Sequence, residues 1–399
     1  MNPGEILAVA ARARPDHAAV VEARRGAPHR TYRELDRRAD ALAAALVAEL
    51  DLRPHDRVAL LLPNGPELLE ALFGVWKAGG VVVALDARAT PDEIVFPVND
   101  SEARFLIAGA EFGPELLPRA EKLGVEAIAI GGEGPADVVG ALRLDALRAS
   151  GDGRRPAVPA GTDDDGAWLA YPPGASERRP GPLLTRADLA CAAIAWPAEL
   201  TPVEADDAGL VAAPLTEGAA TAILGLVGRQ ATVVTLGPSG VDRSGILSAV
   251  AGHRVTHGFL SAPQLRMVLE GPDPAGAELS TLKALSAGVG PLDDDVRHAA
   301  SARFGARFVP FLLSGGLTVS PREVESVLLR HAGISRALVV GVPDERFGQA
   351  VKAIVVPAPG ARLGEAEVMA FARAQLPVYK RPKALEFAAE LPPVNPRGG

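Results

Sequence analysis

Apolar residues recur at helical spacing near the start of the chain. After Thr31, Leu35, Leu42, Leu46 and Leu50 mark one face of a helix ending near Asp51. Thr31 and Glu34 have capping-box spacing, in which each side chain receives the other residue's backbone N–H. Residues 57–62 form a short apolar run, read as a strand. Asn64 is placed to cap a helix reaching Lys77, with Leu68, Leu69, Leu72 and Val75 on its buried face. Gly79 and Gly80 stop that helix, and residues 81–85 are the next strand. Continuous apolar runs in a strand–helix–strand unit predict a parallel sheet buried on both faces. Further strand-like runs lie at 105–108, 127–130, 167–171, 209–213, 231–236, 255–260, 282–286 and 306–311, with helical patterns between most of them. This alternation predicts a doubly wound α/β body. Residues 131–159, rich in Gly, Pro and Arg, read as an exposed connection.

The most ordered pattern spans residues 314–357. Gly315 and Gly316 lead into Ser320, Pro321 and Glu323, a second capping box with proline at the first helical position. Val324, Val327 and Leu328 supply the apolar face, and Gly333 suits a left-handed helix stop. Two β-branched runs, 336–342 and 351–356, follow with Pro343 and Asp344 as the turn between them.

Composition narrows the class. The 399 residues suffice for two or three domains. A net charge of −8 and no basic block argue against a nucleic-acid partner. Residues 1–15 lack the charge order of a secretory signal, and no run approaches the ~20 apolar residues that span a bilayer. A soluble, cytoplasmic protein is the expectation. Cys191 is the only cysteine, which excludes an internal disulfide or thiolate metal cluster.

The string from Ser314 to Pro357 resembles the start of the small C-terminal domain of the adenylate-forming (AMP-binding) superfamily, which includes acyl-CoA synthetases and peptide-synthetase adenylation domains. Residues 31–108 resemble its N-terminal part in the same order. The resemblance implies a doubly wound large domain over residues 1–313 and a smaller α+β domain over 314–399. Intact members join a carboxylic acid to a carrier thiol, usually coenzyme A, through an acyl-adenylate made from ATP and Mg²⁺.

Against that pattern the chemistry-bearing stretches are altered. The family's Ser/Thr/Gly-rich phosphate loop falls between Tyr171 and Leu183. Here Gly174, Ser176 and Gly181 remain, Arg178 and Arg179 supply charge, and Pro180 stands where a lysine is expected. Pro172, Pro173 and Pro180 carry no N–H for a phosphate cradle, and Glu177 adds negative charge. At the stretch resembling "PLFHxxG", Thr216 and Glu217 replace the aromatic and histidine, and Thr216 reads as an N-cap. Gly288 and Gly290 fall in the turn that lines the acyl or adenine pocket of the family. Gly315 and Gly316 are the candidate coenzyme A or pantetheine contact. Three residues past Phe311 the chain is already at Ser314, so the span for the family's YGxTE motif, ribose aspartate, hinge and small β-barrel subdomain is absent. The C-terminal stretch stops where the catalytic TGK lysine is due; Lys380 and Lys383 belong to the preceding "LPxYKxP" motif and read as solvated charges.

Other candidates are weak. His253 and His257 would not share a helical face, and the acidic runs at 163–165 and 293–295 suit helix starts or solvent. No metal site and no hydrolase elbow emerge. The expectation is a shortened, catalytically impaired relative that acts as a binding or assembly partner or has little function. The alternatives are an active acid–thiol ligase with unusual site residues, and a chain that keeps thiol binding alone. Loss of a subdomain exposes apolar surface, so a homo-oligomer or protein partner is expected.

Overall fold

The structure, a computed structural model, describes residues 2–24, 26, 29–131, 141–156, 161–171, 182–237, 241–271, 279–289 and 294–391. Three sheets organise them, none a closed barrel. The first has seven strands in the spatial order Leu142–Arg143, Ala127–Gly131, Phe105–Gly109, Arg57–Leu61, Val81–Ala84, Gly166–Ala170 and Leu183–Thr185. Every neighbour is parallel except the last pair.

The second sheet has eight strands: Leu317–Val319, Phe308–Ser314, Ala284–Val289, His257–Ser261, Ala208–Val211, Thr232–Thr235, Ala18–Glu22 and His29–Thr31. It is parallel inside and antiparallel at both edges. The third is a smaller sheet of Ile334–Asp344, Gly348–Pro357 and Ala384–Phe387.

Side-chain alternation makes the body doubly wound. Val58 and Leu60 point into the central core, whereas Ala59 and Leu61 point into an outer one. Likewise Val211 and Val233 face the central core, and Leu210 and Val234 face a third. The central core thus lies between the two large sheets, filled by helices Tyr32–Leu50, Pro66–Lys77, Arg186–Ala198 and Ala219–Gly228. Period-2 side chains on a strand covered on both sides give this layering directly.

The Thr31 capping box forms as expected. Thr31 Oγ1 accepts from the Glu34 amide at 3.2 Å, and Glu34 Oε2 accepts from the Thr31 amide at 2.9 Å. Four expectations need correction. Asn64 does not cap its helix: Gly65 holds that place, and Asn64 Nδ2 instead donates to the Val211 and Ala213 carbonyls, joining the two sheets. Gly333 is not a left-handed stop, because the helix Pro321–Leu328 already ends at Leu329. Pro343 and Asp344 belong to strand Ile334–Asp344, so the turn lies at Glu345, Arg346 and Phe347.

The fourth concerns the stretch 131–159. Its described part carries strand Leu142–Arg143 and helix Leu144–Ser150, and Arg148 of that helix is buried. Arg148 Nη1 donates to Glu70 Oε2 at 2.8 Å, while Arg30 and Arg38 donate to Glu70 Oε1 at 3.1 and 2.5 Å. Glu70 is fully buried, so three guanidiniums compensate one desolvated carboxylate. Burial pulls the Arg148 guanidinium below its ordinary pKa, and Glu70 opposes that fall.

Candidate functional site

The glycine turn is the centre of the candidate site. Strand Phe308–Ser314 turns at Gly315 (φ +62°) and Gly316 (φ +79°), then returns antiparallel as Leu317–Val319. Both angles lie in the left-handed region that glycine adopts freely. The turn has no room for side chains. A Cβ on Gly316 would lie 2.8 Å from Ala170 Cβ, and one on Gly315 would lie 2.7 Å from Pro182 Cγ. Ala170 and Pro182 approach residues 172–181 from the two ends. The candidates Gly174, Ser176, Arg178, Arg179 and Gly181 fall in that segment and lie outside the described residues, as does Gly290.

Gly315 faces the small sheet. Its amide donates to the Phe347 carbonyl at 3.0 Å, and the Leu313 amide donates to Gln349 Oε1 at 3.2 Å. Gly288 lies behind the same hairpin: a Cβ there would meet Leu313 Cδ1 at 2.9 Å and the Glu217 carbonyl at 3.1 Å. Leu313 also bounds Gly218, whose φ of +94° sets the chain into helix Ala219–Gly228. The structure therefore brings Gly288, Gly315 and Gly316 into one neighbourhood, with the Leu313 side chain packed against Gly288 and Gly218.

Three buried polar atoms surround this neighbourhood. Trp168 Nε1, Thr216 Oγ1 and Ser314 Oγ have no hydrogen-bond partner among the described residues. Thr216 is not an N-cap, contrary to expectation: it sits in the short helix Leu215–Glu217, and Gly218 precedes the longer helix. Glu217 pairs with Arg88, which also donates to Asp86 at 2.7 Å. Hydrogen bonding to Asp86 contributes most to raising the Arg88 pKa above its ordinary value. Tyr171 points away: its hydroxyl donates to Asp100 Oδ2 at 2.6 Å and its ring meets Phe96 edge-on. Burial, then Asp100, pushes that phenol above its ordinary pKa.

A single residue joins the large sheet to the small domain. Val319 ends the last strand, and Pro321 opens the next helix. Ser320, between them, accepts from the Glu323 amide at 3.2 Å and donates to Glu199 Oε2 at 2.9 Å. Only half of the expected capping box forms here, because the Glu323 carboxylate turns elsewhere. Lys380 Nζ donates to its two oxygens at 2.7 and 2.6 Å. Lys380 is fully buried, which corrects its reading as a solvated charge. Lys383 Nζ lies 4.7 Å from the centre of the Phe347 ring, and burial, then Arg381, lowers its pKa.

His257 and His253 stand apart from this neighbourhood. His257 is buried in its strand, 2.9 Å from the Thr201 carbonyl, whereas His253 ends a helix. Among the described residues no group of three His, Cys, Asp or Glu is placed to hold a metal. Among the same residues no helix is long and apolar enough to cross a membrane.

Two large α/β layers and a small three-stranded domain are the architecture of the adenylate-forming superfamily, and the comparisons with known proteins identify the family. The model for AMP-binding enzymes matches residues 7–320, and that for the AMP-binding enzyme C-terminal domain matches 323–395. The chain belongs to the AMP-binding enzyme family, among its acyl-CoA synthetase-like members. It is 29% identical to a feruloyl-CoA synthase from Amycolatopsis sp, covering 94% of this chain and 93% of the relative. That alignment is 477 positions long against 399 residues here, so the relative carries positions this chain lacks. A long-chain-fatty-acid–CoA ligase of Bacillus subtilis (strain 168) is 48% identical over 81 residues, 20% of this chain and 14% of the relative. Among solved structures, the anthranilate CoA ligase AuaEII in complex with anthranoyl-AMP superposes with a TM-score of 0.68 at 20% identity, over 98% of this chain and 94% of that one.

Proposed function

We propose that this chain is a shortened acyl-CoA synthetase relative that does not run the adenylation cycle and serves as a binding or assembly protein. The observation that carries the reading is the hairpin Phe308–Val319. In the family pattern, the YGxTE motif, ribose aspartate and hinge follow the strand corresponding to Phe308–Ser314. Here that strand turns back after two glycines and enters the small domain one residue after Val319. A one-residue joint bonded to Glu199 and tied through Phe347 leaves little freedom for domain rotation between half-reactions.

Leu313 beside Gly288 fits the same reading, since it occupies space next to the candidate acyl or adenine turn. So do the prolines and Glu177 in the candidate phosphate loop. Within this proposal the domain division is drawn at Ser320 rather than at 313/314, because Leu317–Val319 pairs with Phe308–Ser314 in the large sheet, and ATP with Mg²⁺ and coenzyme A as ligands remain family expectations. Self-association or a protein partner follows from the shortened body, and a monomer at every concentration in sedimentation would contradict it.

The test is calorimetry of the folded protein with Mg-ATP. No heat that depends on Arg178 and Arg179 is expected at nucleotide concentrations on the order of millimolar, the upper end of common KM values. Binding abolished by Arg178→Ala with Arg179→Ala would overturn the proposal. It would favour the second reading, an active acid–thiol ligase, which the near full-length match to a feruloyl-CoA synthase supports. That reading requires AMP release with an acid and a thiol. Competition by coenzyme A but not ATP would instead indicate retained thiol binding.

A further inference from the structure

A cavity of about 290 Å³ is lined by Arg12, Arg33, Arg37, Arg154 and Arg155. They come from three separate pieces of chain: helix Pro3–Ala13, helix Tyr32–Leu50 and the turn after helix Leu144–Ser150. Two carboxylates, Asp36 and Asp40, share the wall. Both are already held by the buried Lys77 Nζ at 2.5 Å, and Arg155 adds a second cation at 2.8 Å from Asp40. Their charge is therefore largely compensated from within.

The remaining guanidiniums are available. Arg33 and Arg37 pair with Asp16 and Asp152 at 3.0 Å, but all four side chains are more than half exposed. Such pairs contribute little and exchange readily for a stronger anion. Arg12 and Arg154 are exposed and have no carboxylate partner among the described residues. A concave cluster of five arginines in a chain of net charge −8 runs against the background charge. Guanidinium forks match phosphate oxygens in bidentate geometry, and the volume suits a small ligand.

We propose that this cavity binds a small, multiply charged anion of the polyphosphate class, held by Arg12 and Arg154 with Arg33 and Arg37 drawn in from their surface pairs. None of these residues belongs to the glycine hairpin or to residues 172–181, so the site is independent of whether the chain catalyses anything.

Sodium tripolyphosphate, titrated into the full chain by calorimetry at low and high salt, is the probe. Saturable binding that weakens with salt is expected. Arg12→Ala with Arg154→Ala should weaken it by about tenfold or more, because each removes charge-assisted hydrogen bonds. Both residues are exposed, so the thermal midpoint should stay unchanged. The charge-matched pair Arg330→Ala with Arg336→Ala, exposed on the small domain, should keep wild-type affinity. Absence of binding, undiminished affinity in the 12/154 variant, or an equal loss in the 330/336 variant would each overturn the proposal. Mg-ATP binding that survives Arg178→Ala with Arg179→Ala and is lost with the 12/154 change would belong to this cavity and support it.

Discussion

The surroundings of Glu70 and the glycine turn at 315–316 lie on the same central core and are built to different standards. Around Glu70, two oxygens receive three arginines drawn from three elements. Around the turn, Trp168 Nε1, Thr216 Oγ1 and Ser314 Oγ find no partner among the described residues. Buried polar groups in native proteins are nearly always bonded, and exceptions cluster where function or strain overrides stability. The contrast teaches that the Glu70 carboxylate is fully compensated, while three partnerless buried polar atoms gather where family chemistry belongs, with others such as Trp196 Nε1 and Thr235 Oγ1 lying elsewhere among the described residues.

The sharpest way to break this comparison is Glu70→Ala. It leaves Arg148 buried beside two other cations and should cost about 3–5 kcal/mol in urea unfolding. A loss below about 1 kcal/mol would show that the cluster is no better made than a surface pair. Next, Glu323→Ala strands the buried Lys380 and should cost about 3 kcal/mol. Lys380→Met removes the buried charge and leaves Glu323 27% exposed, so it should cost less. The reverse order, in the same denaturation assay, would contradict the geometry.

A smaller effect separates two tryptophans. Trp76 Nε1 donates to the Ala167 carbonyl at 2.9 Å, whereas Trp168 Nε1 has no described acceptor. Trp76→Phe should therefore cost about 1 kcal/mol more than Trp168→Phe. Equal costs would mean that Trp168 does have an acceptor, and would narrow the contrast.

The smallest effect is in pH. Burial holds the His257 ring below its ordinary value of 6.5, against the raising influence of the Thr201 carbonyl and Asp207. Below about 6.5 the unfolded chain takes up a proton that the folded chain refuses, so stability falls as pH drops toward the folded value. Above 6.5 the effect vanishes. His257→Gln should flatten that slope in unfolding measured from pH 7.5 to 5. His17, lowered by burial and then by Arg14, acts in the same direction, whereas Glu325, raised by burial, acts in the opposite one.

Features set by neighbours in sequence were legible. The inner parallel strands other than Ala18–Glu22 came through because their apolar runs are long enough to be covered on both faces, and the Thr31 cap because its partner is three residues away; the short edge strands His29–Thr31, Leu142–Arg143, Leu183–Thr185 and Leu317–Val319 did not. Features set across the fold were not. Asn64 looked like a cap because its true acceptors lie 147 and 149 residues on. Glu323 looked like half of a capping box because Lys380, 57 residues away, gives no local sign. Arg148 was hidden in a Gly- and Pro-rich stretch whose composition suggests solvent. At the candidate site, lost N–H groups and altered charges could be read from single letters. The packing of Leu313 against Gly288 and Gly218 could not, since it depends on how the sheet turns.

The pairing of Ala18–Glu22 with Thr232–Thr235 sets a timetable for biosynthesis. The strand leaves the ribosome about two hundred residues before its parallel partner exists. At roughly 5–20 residues per second, it waits on the order of ten to forty seconds. During that interval its only available neighbour is the short strand His29–Thr31, and an isolated two-stranded hairpin has little stability of its own. The first large sheet can close about fifty residues earlier, once Leu183–Thr185 is made, so for the last part of that interval the nascent chain should carry a finished half beside an open strand edge, a natural target for chaperones. Protease digestion of ribosome-stalled chains should find the region around Ala18–Glu22 cut until synthesis has passed Thr235, and protection before that point would refute this order of assembly.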